Sequence, residues 1–247
     1  IAGRLDEAER HVADGAARMR SSDDPNAEAF AGLQLAALRL EQGRIDEMEA
    51  LRRAAEPWLA KFRERVRSVR AALAVLDLES GREGPASRLL EETAGDDWAE
   101  LARDPELVGT AGWLAEACAR LGDRVRAAQL YERLLPWASH QSSIYAIVGR
   151  GSLARYLGLL ARTAGRLDDA VRCFEQALAA NRAVEAELYE AWTQWNLAET
   201  LRVRDAAGDA PRAAELEAAA TATAERLQLG RLRDAIEASR ATPAVQR

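Results

Sequence analysis

The 247-residue sequence predicts an all-α protein, built as an array of about six antiparallel helix pairs. Three observations predict this fold: the composition, a glycine-led motif that recurs roughly every forty residues, and apolar stripes with helical spacing. Because such an array grows by adding pairs, we expect one continuous helical-repeat domain over residues 1–240 and a short tail at 241–247.

The composition favours helices. Hydrophobic residues make up 48% of the chain and charged residues 30%, which is typical of a folded protein. Ala, Leu, Arg and Glu dominate, and all four are strong helix formers. No run of Val, Ile or Thr alternates with polar residues as a half-buried strand would. We therefore expect helices throughout.

Six glycines set the repeat, at spacings of 38 to 43 residues: Gly3, Gly43, Gly81, Gly122, Gly165 and Gly208. A glycine lets one helix end in a left-handed backbone conformation that other residues reach only with strain. The acidic residues that often follow favour the start of the next helix, where the backbone dipole is positive. Each glycine is thus predicted to mark the turn of a helix pair.

Apolar residues recur at three-and-four spacing on both sides of these glycines. Around Gly165, the stripe before the turn comprises Leu153, Tyr156, Leu157, Leu160 and Ala161, and the stripe after it comprises Val171, Phe174, Ala177 and Leu178. Each segment is therefore predicted to be an amphipathic helix. Since one pair cannot bury both of its faces, stacking against neighbouring pairs is expected to complete the core.

The sequence also predicts loops between the helix pairs and the character of the two ends of the array. Residues 21–25 predict a loop with a helix N-cap, and residues 136–143 are the longest polar interruption near the middle. Gly3 belongs at a turn, yet no first helix precedes it, so we expect the array to be N-terminally incomplete. Leu227, Leu229, Leu232 and Ile236 predict a final packing helix.

The net charge, the lengths of the apolar runs, and the few cysteines and histidines argue against several function classes. The net charge of −6 leaves no basic excess, so no direct contact with nucleic acid is expected. No apolar run reaches the roughly eighteen residues of a membrane span, and no signal peptide is seen. Cys118 and Cys173 form no CxxC pair, and His11 and His140 lack metal-ligand spacing, so we expect neither metal nor cofactor. Reduced cysteines point to the cytoplasm.

Candidate catalytic groups have simpler interpretations. The acidic pairs at 23–24, 96–97 and 168–169 occur where helices begin, and capping accounts for them. Ser142, Ser143 and His140 lie close in sequence, but a nucleophile also needs an orienting group and an oxyanion site. No such motif is visible, so an enzyme is the least favoured of the function classes.

The pair around Gly165 resembles a tetratricopeptide repeat. The family's pattern is matched at Leu157, Gly158, Gly165, Ala170, Phe174 and Ala177. The resemblance is fair around Gly122 and weak elsewhere, and the period exceeds the family's, so longer helices are expected. It implies a tetratricopeptide-like α-solenoid that winds as a right-handed superhelix.

A second resemblance covers most of the chain, in segments such as 134–137, 154–160, 174–178 and 191–195. These are similar to the C-terminal helical-repeat region of bacterial signalling ATPases, among them LuxR-type and maltose-regulator-like activators and ATPase-linked nucleotide cyclases. The resemblance implies a sensor or interaction arm that follows a nucleotide-binding domain. The chain has no GxxxxGK[ST] motif, helix-turn-helix or cyclase domain of its own.

In tetratricopeptide arrays the first helix of each pair lines a concave groove. The repeat register places nine residues there: Glu116, Arg120, Arg155, Leu159, Arg162, Trp192, Trp195, Glu199 and Arg202. Arg beside Trp is typical of binding hot spots. Alternatively, the two tryptophans pack against the next pair and the arginines pair with local glutamates.

These observations favour a non-catalytic regulatory arm of a larger bacterial signalling or transcription-regulator protein. It would bind a protein partner or a small-molecule effector in the groove. A purely structural scaffold that mediates self-association is the alternative.

Overall fold

A computed structural model of the chain describes residues 2–20, 27–62, 67–95, 98, 101, 104, 106–144 and 148–241. These residues are mostly helical, as the sequence predicts. The helices are α1 Leu5–Arg20, α2 Ala27–Gln42, α3 Ile45–Phe62, α4 Arg67–Glu79, α5 Glu83–Ala94, α6 Leu107–Leu121, α7 Arg124–Leu134, α8 Leu153–Thr163, α9 Leu167–Ala183, α10 Glu187–Arg204, α11 Asp209–Arg226 and α12 Gly230–Ala241.

Some predicted features lie outside the described residues. They are the loop at 21–25 with its acidic pair, the acidic pair at 96–97, and residues 242–247 of the expected tail. The remaining acidic pair, at 168–169, occupies the first turn of α9 as predicted.

The turn glycines behave as predicted. All six have positive φ, from 65° at Gly122 to 87° at Gly208. Five of them separate two helices that contact each other, which gives the pairs α2–α3, α4–α5, α6–α7, α8–α9 and α10–α11 within the described residues. Gly3 lies two residues before the start of α1. The glycine spacing therefore defines the pairing of the helices.

The pair α8–α9 is held together by a close approach of its two helices. A Cβ atom on Gly158 of α8 would lie 2.5 Å from Cε1 of Phe174 on α9. Phe174 is fully buried, as are Ala170 and Ala177 on the same helix. The aromatic ring thus lies directly on the backbone of α8, and only glycine fits at position 158.

A small hairpin departs from the all-α prediction. Strands β1, Gln141–Ile144, and β2, Val148–Ser152, pair antiparallel between α7 and α8. The hairpin depends on helices for support, because Ser142 Oγ donates to the carbonyl of Val108 over 2.9 Å. Tyr189 of α10 donates from its hydroxyl to the carbonyl of Gly149, also over 2.9 Å. Helix contacts far along the chain, rather than strand patterning, therefore specify this hairpin.

The two ends of the array meet. Helix α12 packs against α2, where Gly230 lies so close to the carbonyl oxygen of Gln42 that a Cβ would clash. One core cluster joins Leu5 of α1 with Trp192 of α10 and with Leu232 of α12. In an open solenoid, each repeat contacts only its neighbours. Here the predicted final helix instead closes the array back onto its first helices.

Candidate functional site

The closed array surrounds a cavity of about 350 Å³. Its wall combines residues of α4, α6, α8, α10 and α12 with the turn between α2 and α3. Seven of the nine residues that the repeat register predicts for the groove line this cavity: Glu116, Arg120, Arg155, Leu159, Arg162, Trp192 and Trp195. The structure thus brings most of the predicted site together.

The structure places the other two predicted residues, Glu199 and Arg202, outside the cavity wall. Arg202 donates from Nη1 to Glu199 over 2.8 Å, and its Nη2 binds Glu217 of α11. These pairs hold the Arg202 guanidinium group toward the second helix of its own pair. Helical register alone does not reveal such a pairing across two helices.

Glu116 lies at the centre of a buried ion network. Its carboxylate accepts Nη2 of Arg150 at 3.0 Å, Nη1 of Arg155 at 3.2 Å and Nη2 of Arg231 at 3.1 Å. Glu116 is only 5% exposed. Burial alone raises the pKa of a carboxyl group, but the three arginines outweigh it and hold the pKa of Glu116 well below its ordinary value.

Arg231 connects this network to three helices of the first half of the chain. Besides Glu116 on α6, its guanidinium group contacts Glu79 on α4 at 2.7 Å and Glu41 on α2 at 3.6 Å. These carboxylates raise the pKa of Arg231 against the effect of burial, which lowers it. Arg231 therefore links α12 to α2, α4 and α6 through ion pairs.

Sequence reasoning missed Arg231 and Arg150. Arg231 lies 115 and 152 positions from Glu116 and Glu79, and no local motif relates them. Arg150 belongs to the hairpin that the sequence did not predict, where it stacks 3.4 Å from the ring centroid of Trp113. Packing of the hairpin on α6 brings Arg150 to Glu116, and closure of the array by α12 brings Arg231 there.

Trp192 and Trp195 differ in burial and in their contacts. Trp192 is 5% exposed and donates from Nε1 to Glu41 over 2.8 Å, so it is a packed residue that also forms cavity wall. Trp195 is half-buried and lies edge-to-face with Trp192, at 5.6 Å between ring centroids. The guanidinium groups of Arg155 and Arg231 each lie 5.2 Å from the Trp192 ring centroid, within cation–π range. Trp195 is thus the more accessible aromatic surface.

The remaining candidate groups are engaged elsewhere. His140 Nδ1 lies 3.2 Å from the carbonyl of Trp137, and Ser142 hydrogen-bonds Val108, so these two do not form a Ser–His pair. Cys118 and Cys173 are buried free thiols, and burial raises the pKa of both. In the described part of the chain, no group of three or more His, Cys, Asp or Glu could hold a metal ion. Nor is any described helix long and apolar enough to cross a bilayer.

Comparison with known proteins assigns no family. No family model matches the chain, and no curated protein matches it significantly. Among solved structures, the chain is similar to the crystal structure of BtubC (BKLC) from P. vanneervenii, with 21% sequence identity. The likeness covers 98% of this chain and 95% of that chain at a TM-score of 0.46, a level at which it assigns no function.

Proposed function

We propose that the chain is a non-catalytic regulatory arm of a larger bacterial signalling protein, and that it binds a small effector in the cavity. The observation that carries this proposal is the composition of the cavity wall, which draws on five helix pairs and α12. A ligand there contacts elements from both halves of the chain at once. Its binding energy therefore favours one relative arrangement of those elements over others.

We further propose that the helix pairs form a tetratricopeptide-like right-handed superhelix that closes on itself. The recurring turn glycines and the contact between Gly158 and Phe174 support this architecture. Closure also favours a small effector over a protein segment, because α12 itself forms part of the cavity wall. A volume of about 350 Å³ is in the range of small-molecule sites.

Filling the cavity from α12 tests this function. Ala238 lines the cavity but is exposed, so Ala238→Trp should obstruct the site without disturbing the core. Ala222 on α11 is exposed and outside the cavity wall, and Ala222→Trp is the matched control. The probes are a panel of nucleotides, sugar phosphates, organic acids and amino acids, measured by thermal shift.

At least one probe is expected to raise the Tm of the wild type and of Ala222→Trp, by roughly 5–10 °C at a hundredfold excess over Kd. The same probe should have little effect on Ala238→Trp. Effector binding in this cavity is refuted if no probe stabilises the wild type, or if Ala238→Trp responds as strongly as the control.

A further inference from the structure

The ion network around the cavity contains one more cation than anion. Within the described residues, the ion pairs connect four guanidinium groups, those of Arg120, Arg150, Arg155 and Arg231, with three carboxylates, those of Glu41, Glu79 and Glu116. The two other charged residues in the wall, Arg162 and Asp234, carry opposite charges. The cavity is therefore surrounded by a net positive charge.

The excess cation lies at the exposed edge of the network. The carboxylates of Glu41, Glu79 and Glu116 match the three buried arginines in number, whereas the Arg120 side chain is 40% exposed. Arg150, Arg155 and Arg231 are 4%, 3% and 8% exposed. The positive charges of the arginines also act on the carboxylates. Burial raises the pKa values of Glu79 and Glu116, but the surrounding arginines lower both on balance. One further negative charge in the cavity would bring the network to neutrality.

The wall offers both an anchor for an anion and a surface for an apolar body. Arg155 donates from Nε to Asn196 and from Nη1 to Glu116, while its Nη2 donates no hydrogen bond to the described residues. Leu159, one turn along α8, and the half-buried Trp195 supply apolar wall beside it. A guanidinium group beside an aromatic ring suits a carboxylate attached to a planar body.

We propose that the cavity binds a small organic monoanion, with its carboxylate or similar single negative group at Arg155 and a planar apolar body against Leu159 and Trp195. This inference rests on the proposed function and adds the chemical class of the effector. The ligand supplies the anion that balances the four arginines and three carboxylates of the network. Cations and neutral compounds of the same shape are therefore disfavoured.

Three probes of one shape and different charge test the inference: naphthalene-2-carboxylate, naphthalene-2-carboxamide and 2-naphthylmethylammonium. Binding is measured by titration calorimetry at pH 7. The carboxylate is expected to bind at least about tenfold more tightly than the other two, a difference of one decade in Kd. Its affinity should also fall as salt is added.

Arg120→Gln provides the variant. It reduces the network to three cations against three anions, and the Arg120 side chain is 40% exposed, so the fold should tolerate the change. The preference for the carboxylate should then fall to about twofold or less. Arg202→Gln makes the same substitution outside the cavity wall and should keep the wild-type preference.

The outcomes separate this inference from the proposed function. If the three probes bind equally, or the ammonium probe binds best, the anion inference is overturned. The cavity is then still a ligand site provided that Ala238→Trp abolishes that binding. If no probe binds the folded wild type, or if Arg120→Gln keeps the full preference, the inference is likewise overturned. In that case the proposed function is tested separately, by thermal shift with the panel of nucleotides, sugar phosphates, organic acids and amino acids.

Discussion

Glu116→Gln is expected to lower the free energy of unfolding by about 3–5 kcal/mol, the cost of leaving buried charges without their partner. Glutamine fills the same space and keeps some hydrogen bonds, but it removes the negative charge that three arginines share. Arg150, Arg155 and Arg231 would then repel one another in a site that is nearly closed to water. Urea unfolding followed by circular dichroism measures the loss.

Glu132→Gln is the matched control. Glu132 also pairs with an arginine, Arg166, but its side chain is 58% exposed, so the change should be below about 1 kcal/mol.

Because the pKa of Glu116 is lowered on folding, the contribution of Glu116 to stability is fully present above the ordinary carboxyl pKa of 4.5 and decreases as the pH falls below it. A loss of less than about 1 kcal/mol at pH 7 would show that Glu116 does not hold the network together.

Gly158→Ala is expected to destabilise the protein by about 1–3 kcal/mol, as overpacking of a tight core does. The added Cβ would lie 2.5 Å from Cε1 of Phe174, which is fully buried and has no room to retreat. Helices α8 and α9 would have to separate. This loss opposes the gain of about 1 kcal/mol that alanine brings over glycine inside a helix.

Gly15→Ala should have the opposite sign. Gly15 lies within α1, and a Cβ there would meet no atom of the described residues within 4 Å. The helix gain then acts alone, and stability should rise by up to about 1 kcal/mol. Chemical unfolding of both variants gives the comparison. If Gly158→Ala also stabilises the protein, α8 and α9 are not in the close contact described above.

The sequence predicts most of what is local or periodic in this molecule. A turn glycine acts within one backbone position, so the six glycines could be identified from their spacing alone, and all six have positive φ. Helical period places residues on a face, which explains why Arg155, Leu159 and Arg162 of α8 all reach the cavity. The close contact of Gly158 with Phe174 has its own local signal in the resemblance to a tetratricopeptide repeat.

What the sequence did not predict depends on contacts between distant segments. Strands β1 and β2 have no alternating apolar pattern in sequence, and their support comes from α6 and α10. Arg231 has no neighbour in sequence that indicates a role, since its partners lie on α2, α4 and α6. The repeat register predicts Arg202 in the groove, but Glu217 of α11 binds it outside the cavity wall, and register carries no information about a partner on another helix.

Closure of the array by α12 is the central claim, and hydrogen exchange of the backbone amides tests it most directly. In the wild type, amides of residues 232–236 should exchange as slowly as those of α8, because opening them requires breaking the Arg231 network and the shared core. In Arg231→Gln, the same amides should exchange much faster while α8 stays protected. If residues 232–236 of the wild type exchange as rapidly as a frayed chain end, α12 does not close the array.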